Sequence, residues 1–308
     1  MTNAALSRTK PFLRMLAAFL CCLLPQSGSA ASAKPTAVSL DYCADQFLLS
    51  MADRDQVMAL TTDAVKNHSF YREKARGLPL FNATSEEILH KTPDVVIRYW
   101  GGFKILPFLA RTNVKVATAR YGTGPEILYQ NMRLVGAALD QRARAENLIR
   151  DYQNRLEKVR RRSAAIRALD RKIRVAYITP GGITAGKDTF VNNVFRLAGL
   201  SPLTEELGLV GWQPLPLEAL VQNPPDLIIG SFFDLDNLHV SNWSLSRHGR
   251  IRKMIDEIPT IMVPGRFLSC NGIFSVEAAE YIQRETEKLF LPVDASPPVK
   301  KIQKGPER

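Results

Sequence analysis

The sequence predicts an α/β protein of two lobes, each with a mainly parallel sheet, joined by a single long α-helix. Three observations lead there. Short aliphatic runs that read as buried strands alternate with short helical patterns, first over residues 37–117 and again over residues 173–289. Between these regions lies a stretch of roughly 25 residues without Gly or Pro, with one apolar stripe at helical spacing. A segment of the first region also recurs in the second: Glu86, six residues, Pro93-Asp94-Val95-Val96-Ile97 matches Glu218, six residues, Pro225-Asp226-Leu227-Ile228-Ile229. An offset of 132 residues is too long for a solenoid and fits two similar lobes.

In order along the chain, residues 37–40 read as a short buried strand, and Asp41 as the N-cap of a helix carrying Phe47, Leu48 and Met51. Residues 56–60 form the next strand. A short helix starts at Ser85, capped by Thr84 or Ser85, and stops before Pro93, because proline cannot continue it. Strands at 94–97 and 114–117 follow. Pro125 opens a helical region whose second part aligns Ala145, Leu148, Ile149, Tyr152, Leu156 and Val159, a strut near 37 Å long at 1.5 Å per residue. Residues 173–178 restart the pattern as a strand, and Gly181-Gly182 turns the chain. A helix over 189–198 ends at Gly199. A short helix over 217–221, strands at 226–229 and 260–263, and an amphipathic helix over 275–289 complete the order. The domain boundaries expected are a leader at 1–33, a first lobe at 34–140, the linking helix at 141–171, a second lobe at 172–292 and a disordered basic tail at 293–308.

Composition narrows the class. Of 308 residues, 45% are apolar and 23% charged, enough for sizeable cores, which excludes wholesale disorder. The leader reading rests on Arg8, Lys10 and Arg14 before an apolar run over 15–24, followed by Ala31-Ser32-Ala33, with Gly28-Ser29-Ala30 a second cleavage candidate. That run is shorter than the ~20 residues a membrane span needs. An exported, soluble protein is expected. Cys21 and Cys22 leave with the leader, so Cys43 and Cys270 remain. In an oxidising compartment they are a candidate disulfide; two buried thiols is the other reading.

The net charge of +11 suggests, taken alone, an anionic partner such as nucleic acid. Its distribution argues otherwise. Residues 141–174 hold twelve Lys and Arg against four Asp and Glu, while residues 175–292 are net acidic. The excess therefore sits on one helix, read as a solvated face, and no nucleic-acid partner is expected.

Motifs for catalysis are sparse. Gly181-Gly182-Ile183-Thr184-Ala185-Gly186-Lys187 matches the first seven positions of a phosphate-cradling loop, but Asp188 stands where Ser or Thr would bind Mg²⁺. His68, His90, His239 and His248 show no metal-ligand spacing. What recurs instead is aromatic and Gly residues at strand-to-helix turns: Tyr42, Tyr99-Trp100-Gly101-Gly102, Gly211-Trp212, Phe232-Phe233 and Trp243. In α/β sheets, ligands bind beyond the carboxyl ends of strands, and aromatics there suit a large, partly apolar ligand. Arg98, Lys187 and Arg266 offer positive charge.

These residues resemble, over roughly 36–290, the periplasmic substrate-binding proteins of ABC importers for ferric siderophores and vitamin B12. Leu40-Asp41-Tyr42-Cys43-Ala44-Asp45-Gln46-Phe47-Leu48-Leu49 resembles the family's opening strand-helix. The two Glu…Pro-Asp segments, Gly186-Lys187-Asp188-Thr189-Phe190 through Ala198-Gly199, and Trp212 to Asp226 resemble its other signatures. The resemblance implies two Rossmann-like lobes with the ligand cleft between them, little opening because of the strut, and no enzymatic activity. By position it implies Tyr42, Tyr99, Trp100, Phe190, Trp212 and Arg266 as cleft walls, and Glu86 and Glu218 as docking carboxylates for the permease. A monomer without cofactor or side-chain metal ligands is expected to capture an iron–siderophore complex, with cobalamin and then haem as alternatives. A secreted enzyme or nucleotide binder using the Gly181–Lys187 loop is the distant one. Two departures stand out: Arg98 intervenes between the first-lobe strand and its aromatics, and residues 65–81 match no part of the pattern.

Overall fold

The structure, a computed structural model, describes residues 33–232, 253, 254 and 256–291. The chain divides into the units Met1–Ala33 and Lys34–Arg308, and both lobes belong to the second. The leader through residue 32, Phe233, His239, Trp243, His248 and the tail from residue 293 lie outside the described residues.

The first lobe contains strands β1 (Ala37–Ser39), β2 (Val57–Thr61), β3 (Leu80–Phe81), β4 (Val95–Arg98) and β5 (Lys115–Thr118) and helices α1 (Tyr42–Met51), α2 (Arg72–Ala75), α3 (Ser85–Lys91) and α4 (Leu106–Leu109). Its sheet runs β3-β2-β1-β4-β5 with every pairing parallel. The chain starts in the middle, winds outward through β2 and β3, then returns to the other side of β1. The strand order therefore reverses between β1 and β4, which opens a crevice beyond their carboxyl ends.

Helices α5 (Pro125–Ala138) and α6 (Arg142–Arg167) lead to the second lobe. There, β6 (Arg174–Ile178), β8 (Ser201–Pro202), β10 (Leu227–Phe232) and β11 (Thr260–Pro264) form a parallel sheet in the order β11-β10-β6-β8. Helices α7 (Phe190–Leu197), α8 (Leu203–Glu206) and α9 (Leu217–Gln222), a short helix Gly265–Leu268 and the C-terminal helix Ser275–Phe290 surround it. Strands β7 (Ile183–Ala185) and β9 (Trp212–Pro214) pair antiparallel as a separate ribbon. The α/β, two-lobed fold with a long linking helix is thus borne out.

The recurring Glu…Pro-Asp segments are α3–β4 and α9–β10. Their aspartates do equivalent work. Asp94 accepts from the Thr36 N–H (2.8 Å) at the head of β1, and Asp226 accepts from the Arg174 N–H (2.9 Å) at the head of β6. Each clips the incoming strand to the central strand of its sheet.

The strut is less solvated than its composition suggests. Ala145, Ile149, Tyr152, Leu156, Val159, Ser163 and Ile166 are buried along it. On one side it lies against α5, where a Cβ on Gly136 would stand 2.6 Å from that of Ala145, so only glycine allows the approach. On the other side the C-terminal helix supplies acids. Arg155 pairs with Glu277 (2.8 Å) and Glu280 (2.6 Å), and Arg162 pairs with Glu287. Part of the basic excess is therefore neutralised by the net-acidic second lobe, correcting the reading of a simply solvated face. No described helix is long and apolar enough to cross a membrane.

Candidate functional site

The lobes meet at the turns beyond the carboxyl ends of their strands, where Tyr121 of the first touches Asp188 of the second. In the first lobe, Asp41 ends the β1 turn and caps α1, its Oδ1 accepting from the Ala44 N–H (2.9 Å). Its Oδ2 accepts from three consecutive amides after β4: Tyr99 (2.8 Å), Trp100 (3.1 Å) and Gly101 (2.8 Å). One buried carboxylate thus joins the two turns that diverge at the switch point. Tyr42 is half-buried, with its ring edge-on to Trp100 (5.6 Å) and His68 (5.3 Å). Burial first, then the charges of Asp41 and Asp63, raise the Tyr42 phenol pKa. Tyr99 stacks on Phe47 (6.4 Å), and its hydroxyl meets the backbone of Gly122. Burial foremost holds its pKa far above the usual phenol value. Trp100 is left 57% exposed.

In the second lobe the β7–β9 ribbon lies over the end of β6, where Thr184 Oγ1 donates to the Tyr177 carbonyl (2.8 Å). It sets out Trp212, 46% exposed, with Phe190 behind it at 6.5 Å between ring centres. Phe190 itself is buried at the start of α7, so it supports the wall rather than forming its surface. Arg266 sits over the Phe267 ring (5.0 Å). No hydrogen bond, ion pair or ring contact among the described residues links it to the cleft aromatics. Arg98 is turned back onto its own turn, Nε donating to the Gly101 carbonyl (2.7 Å) and Nη2 to that of Trp100 (3.3 Å).

The sequence reading missed Tyr121. It is 58% exposed, and its hydroxyl donates to the Asp188 carbonyl (3.1 Å) of the other lobe. Neighbouring carbonyls are also claimed from across: Gly122 by Asn271 Nδ2 (2.8 Å) and Thr123 by Asn193 Nδ2 (2.8 Å). The signal was present, because Tyr121-Gly122 follows β5 just as Tyr99-Trp100-Gly101 follows β4. The unplaced stretch 65–81 also serves the junction. Ser269 Oγ donates to the His68 carbonyl (3.0 Å), and Phe70 stacks on Phe274 at 4.6 Å. Beside them the structure joins Cys43 and Cys270, with their Cα atoms 5.7 Å apart.

The loop after β6 is not a phosphate cradle. A cradle needs free amides aimed at the ligand. Here Gly182 N–H is given to the Thr179 carbonyl (3.0 Å), Gly186 N–H to that of Gly211 (2.8 Å) and Lys187 N–H to that of Leu209 (2.8 Å). Among the described residues no group of three or more His, Cys, Asp or Glu is placed to hold a metal ion.

Asp45, fully buried beneath the β1 turn, accepts from Ser39 Oγ and from Thr61 through Oγ1 (2.5 Å) and N–H (3.0 Å). Burial outweighs these bonds and pushes its carboxyl up to about 7. The unfolded chain releases this proton near pH 4 and the folded chain only near 7. The Asp45 contribution therefore favours the fold below about pH 4 and is lost progressively as pH rises to 7. Asp45→Asn, which mimics the protonated acid, should flatten the fall of Tm across that window in thermal melts from pH 4.5 to 8. An unchanged slope in the variant would show that Asp45 does not cause it.

Two parallel α/β lobes carried on one long helix, each with an exposed indole on a turn beyond its strands, define a two-lobed binding protein. The family described as "Periplasmic binding protein" matches residues 38–237, well over half the chain, and the chain belongs to that family. A periplasmic heme-binding protein from Roseiflexus sp. RS-1 superposes with a TM-score of 0.67 at 18% identity, covering 82% of this chain and 99% of that one. A periplasmic heme-binding protein from Pseudomonas aeruginosa gives 0.66 at 18%, covering 83% and 92%. A periplasmic vitamin B12 binding protein of Vibrio cholerae gives 0.63 at 16%, covering 83% and 97%. At such identities the likeness is one of fold. No curated protein matches the chain.

Proposed function

We propose that the protein is exported to the periplasm by its leader, captures a metal chelate in the cleft and delivers it to an ABC importer permease, without chemical turnover. The observation that carries this reading is the pair of exposed indoles, Trp100 and Trp212, one on each lobe. Exposed indoles held on ordered turns offer broad apolar faces that a ligand can cover.

Among chelates, we place a tetrapyrrole, haem or cobalamin, ahead of a siderophore, because its flat ring suits the two exposed indoles. This reverses the order the sequence suggested. Arg98, one of the cations that argued for an anion, is committed to the carbonyls of its own turn. The heme-binding protein of Roseiflexus and the vitamin B12 binding protein of Vibrio support the same choice.

Titration of intrinsic tryptophan fluorescence with haemin, cyanocobalamin and a set of ferric siderophores tests this. Saturable quenching by a tetrapyrrole is expected, and Trp100→Ala or Trp212→Ala should each weaken it roughly three- to tenfold. Saturation by none of the panel would reject the reading, and saturation by siderophores alone would restore the original order.

Delivery is assigned to Glu86 and Glu218. Helices between parallel strands run opposite to them, so the N-terminal ends of α3 and α9 emerge on the cleft side. Both carboxylates are exposed, and neither takes part in a hydrogen bond or ion pair among the described residues. A permease with basic groups at matching spacing would engage both lobes at once.

A further inference from the structure

The turn bearing Trp100 is bound from both sides by charged side chains. Asp41 Oδ2 accepts its three successive amides, from Tyr99, Trp100 and Gly101. Arg98 holds its carbonyls, those of Trp100 and Gly101. Gly101 is pressed against the preceding switch-point turn so closely that a Cβ there would lie 2.4 Å from the Leu40 carbonyl oxygen. Gly102 then takes a left-handed φ of 69°, which leads the chain away. The backbone under Trp100 thus has three successive amides and two carbonyls held by side chains and little room to shift, yet the indole above it is 57% exposed.

Solvent-facing turns do not ordinarily need such restraint, since their amides and carbonyls are satisfied by water. Here two charged side chains are committed to one turn, and the guanidinium is withdrawn from the crevice to do it. We infer that Asp41 and Arg98 are positioning residues that hold Trp100 as a preformed platform for the flat face of the ligand, and that Arg98 does not recognise ligand charge. The inference rests on the chelate-capture reading and deepens it. A platform fixed before binding spares the ordering cost of a large side chain, which raises affinity without adding a contact. It also gives a physical account of the intervening arginine. Its position immediately before the aromatics lets the side chain fold forward over residues 100 and 101.

The test uses the full exported chain labelled with 5-fluorotryptophan. Its three tryptophans give three ¹⁹F resonances, and Trp100→Phe assigns one of them. Arg98 is the residue to change, because Asp41 also caps α1 and its loss would unsettle the lobe. In Arg98→Ala the Trp100 resonance should move toward the free-indole position while the other two stay in place. Haemin affinity should fall roughly three- to tenfold, by the same factor in low and high salt and equally for uncharged ligand analogues. Arg98→Lys keeps the charge but loses the two-point grip, and should resemble Arg98→Ala. An unmoved Trp100 resonance overturns the inference. So does an affinity loss that disappears in high salt or is rescued by lysine, since either shows a charge effect. If the wild-type chain binds no chelate, the functional reading fails, while the fluorine signal still decides whether Arg98 holds the turn.

Discussion

Removing the Cys43–Cys270 bond is expected to destabilise the folded chain by about 5 kcal/mol. The two cysteines are 227 residues apart, so the bond closes a loop that spans both lobes and the strut. In the chain-entropy account the cost of leaving such a loop open falls on the unfolded ensemble and grows with the logarithm of its length. The native side is already prepared. Cys43 lies in α1 and Cys270 just past the short helix Gly265–Leu268, both buried in a cluster with Phe274, against which Tyr42, Phe70, Tyr71 and Tyr99 pack. The adjacent cross-lobe bonds of Ser269 and Asn271 flank the same point. Urea denaturation of the Cys43→Ala/Cys270→Ala double variant measures the loss, and alanine avoids adding a buried hydroxyl. A loss below about 1 kcal/mol would show that the shared core and the strut alone hold the lobes together. Because the bond is buried, reductant alone should act slowly on the folded protein, so the double variant is the cleaner measurement.

What could be read in the sequence was local. The cap at Asp41, the stop before Pro93 and the end of α7 at Gly199 each depend on a few adjacent residues, and the structure shows each of them. The alternation of strands and helices, and the unbroken stripe of α6, sum such local signals, which is why the fold class was legible. What stayed hidden was set by distant partners. The β7–β9 ribbon pairs Ala185 with Trp212, and no turn signal connects them. The two-residue strands β3 and β8 are too short to show alternation. Arg155 looked like one more solvated cation because its acids are 122 and 125 residues away. At the site, residue type indicated which turns carry aromatics but not which rings face outward. Phe190 and Trp212 share one wall, yet only the second is exposed. Asp41 shows the limit most clearly, since its cap was visible in sequence while its grip on residues 99–101, some 60 positions on, was not.

Replacing both Glu86 and Glu218 by alanine is expected to abolish uptake while leaving chelate affinity within about twofold of wild type. Interfacial charge pairs removed from one side typically cost 2–5 kcal/mol each, so losing both should weaken docking by at least about a hundredfold. Each single variant should retain partial uptake, because one lobe would still be engaged. The objection to a docking role is that an acid at a helix N-terminus is favoured by the helix dipole alone. In α3 that position can be separated from capping. The cap there is Thr84 with Glu87: the Glu87 N–H donates to Thr84 Oγ1 (3.3 Å), and Glu87 Oε2 accepts from the Thr84 N–H (3.2 Å). Glu86, one residue earlier, takes no part in it. Glu87→Gln keeps a capping acceptor at N3 and removes a charge of the same sign one position away. It should therefore transport normally, where loss of Glu86 does not. Equal damage from both substitutions would mean that helix stability or general negative charge is being sensed. Damage confined to Glu86 and Glu218 would place the two contacts on equivalent points of the duplicated helix–Pro-Asp–strand unit. The repeat would then have a functional reason to keep its first residue as well as the structural reason it has for its aspartate.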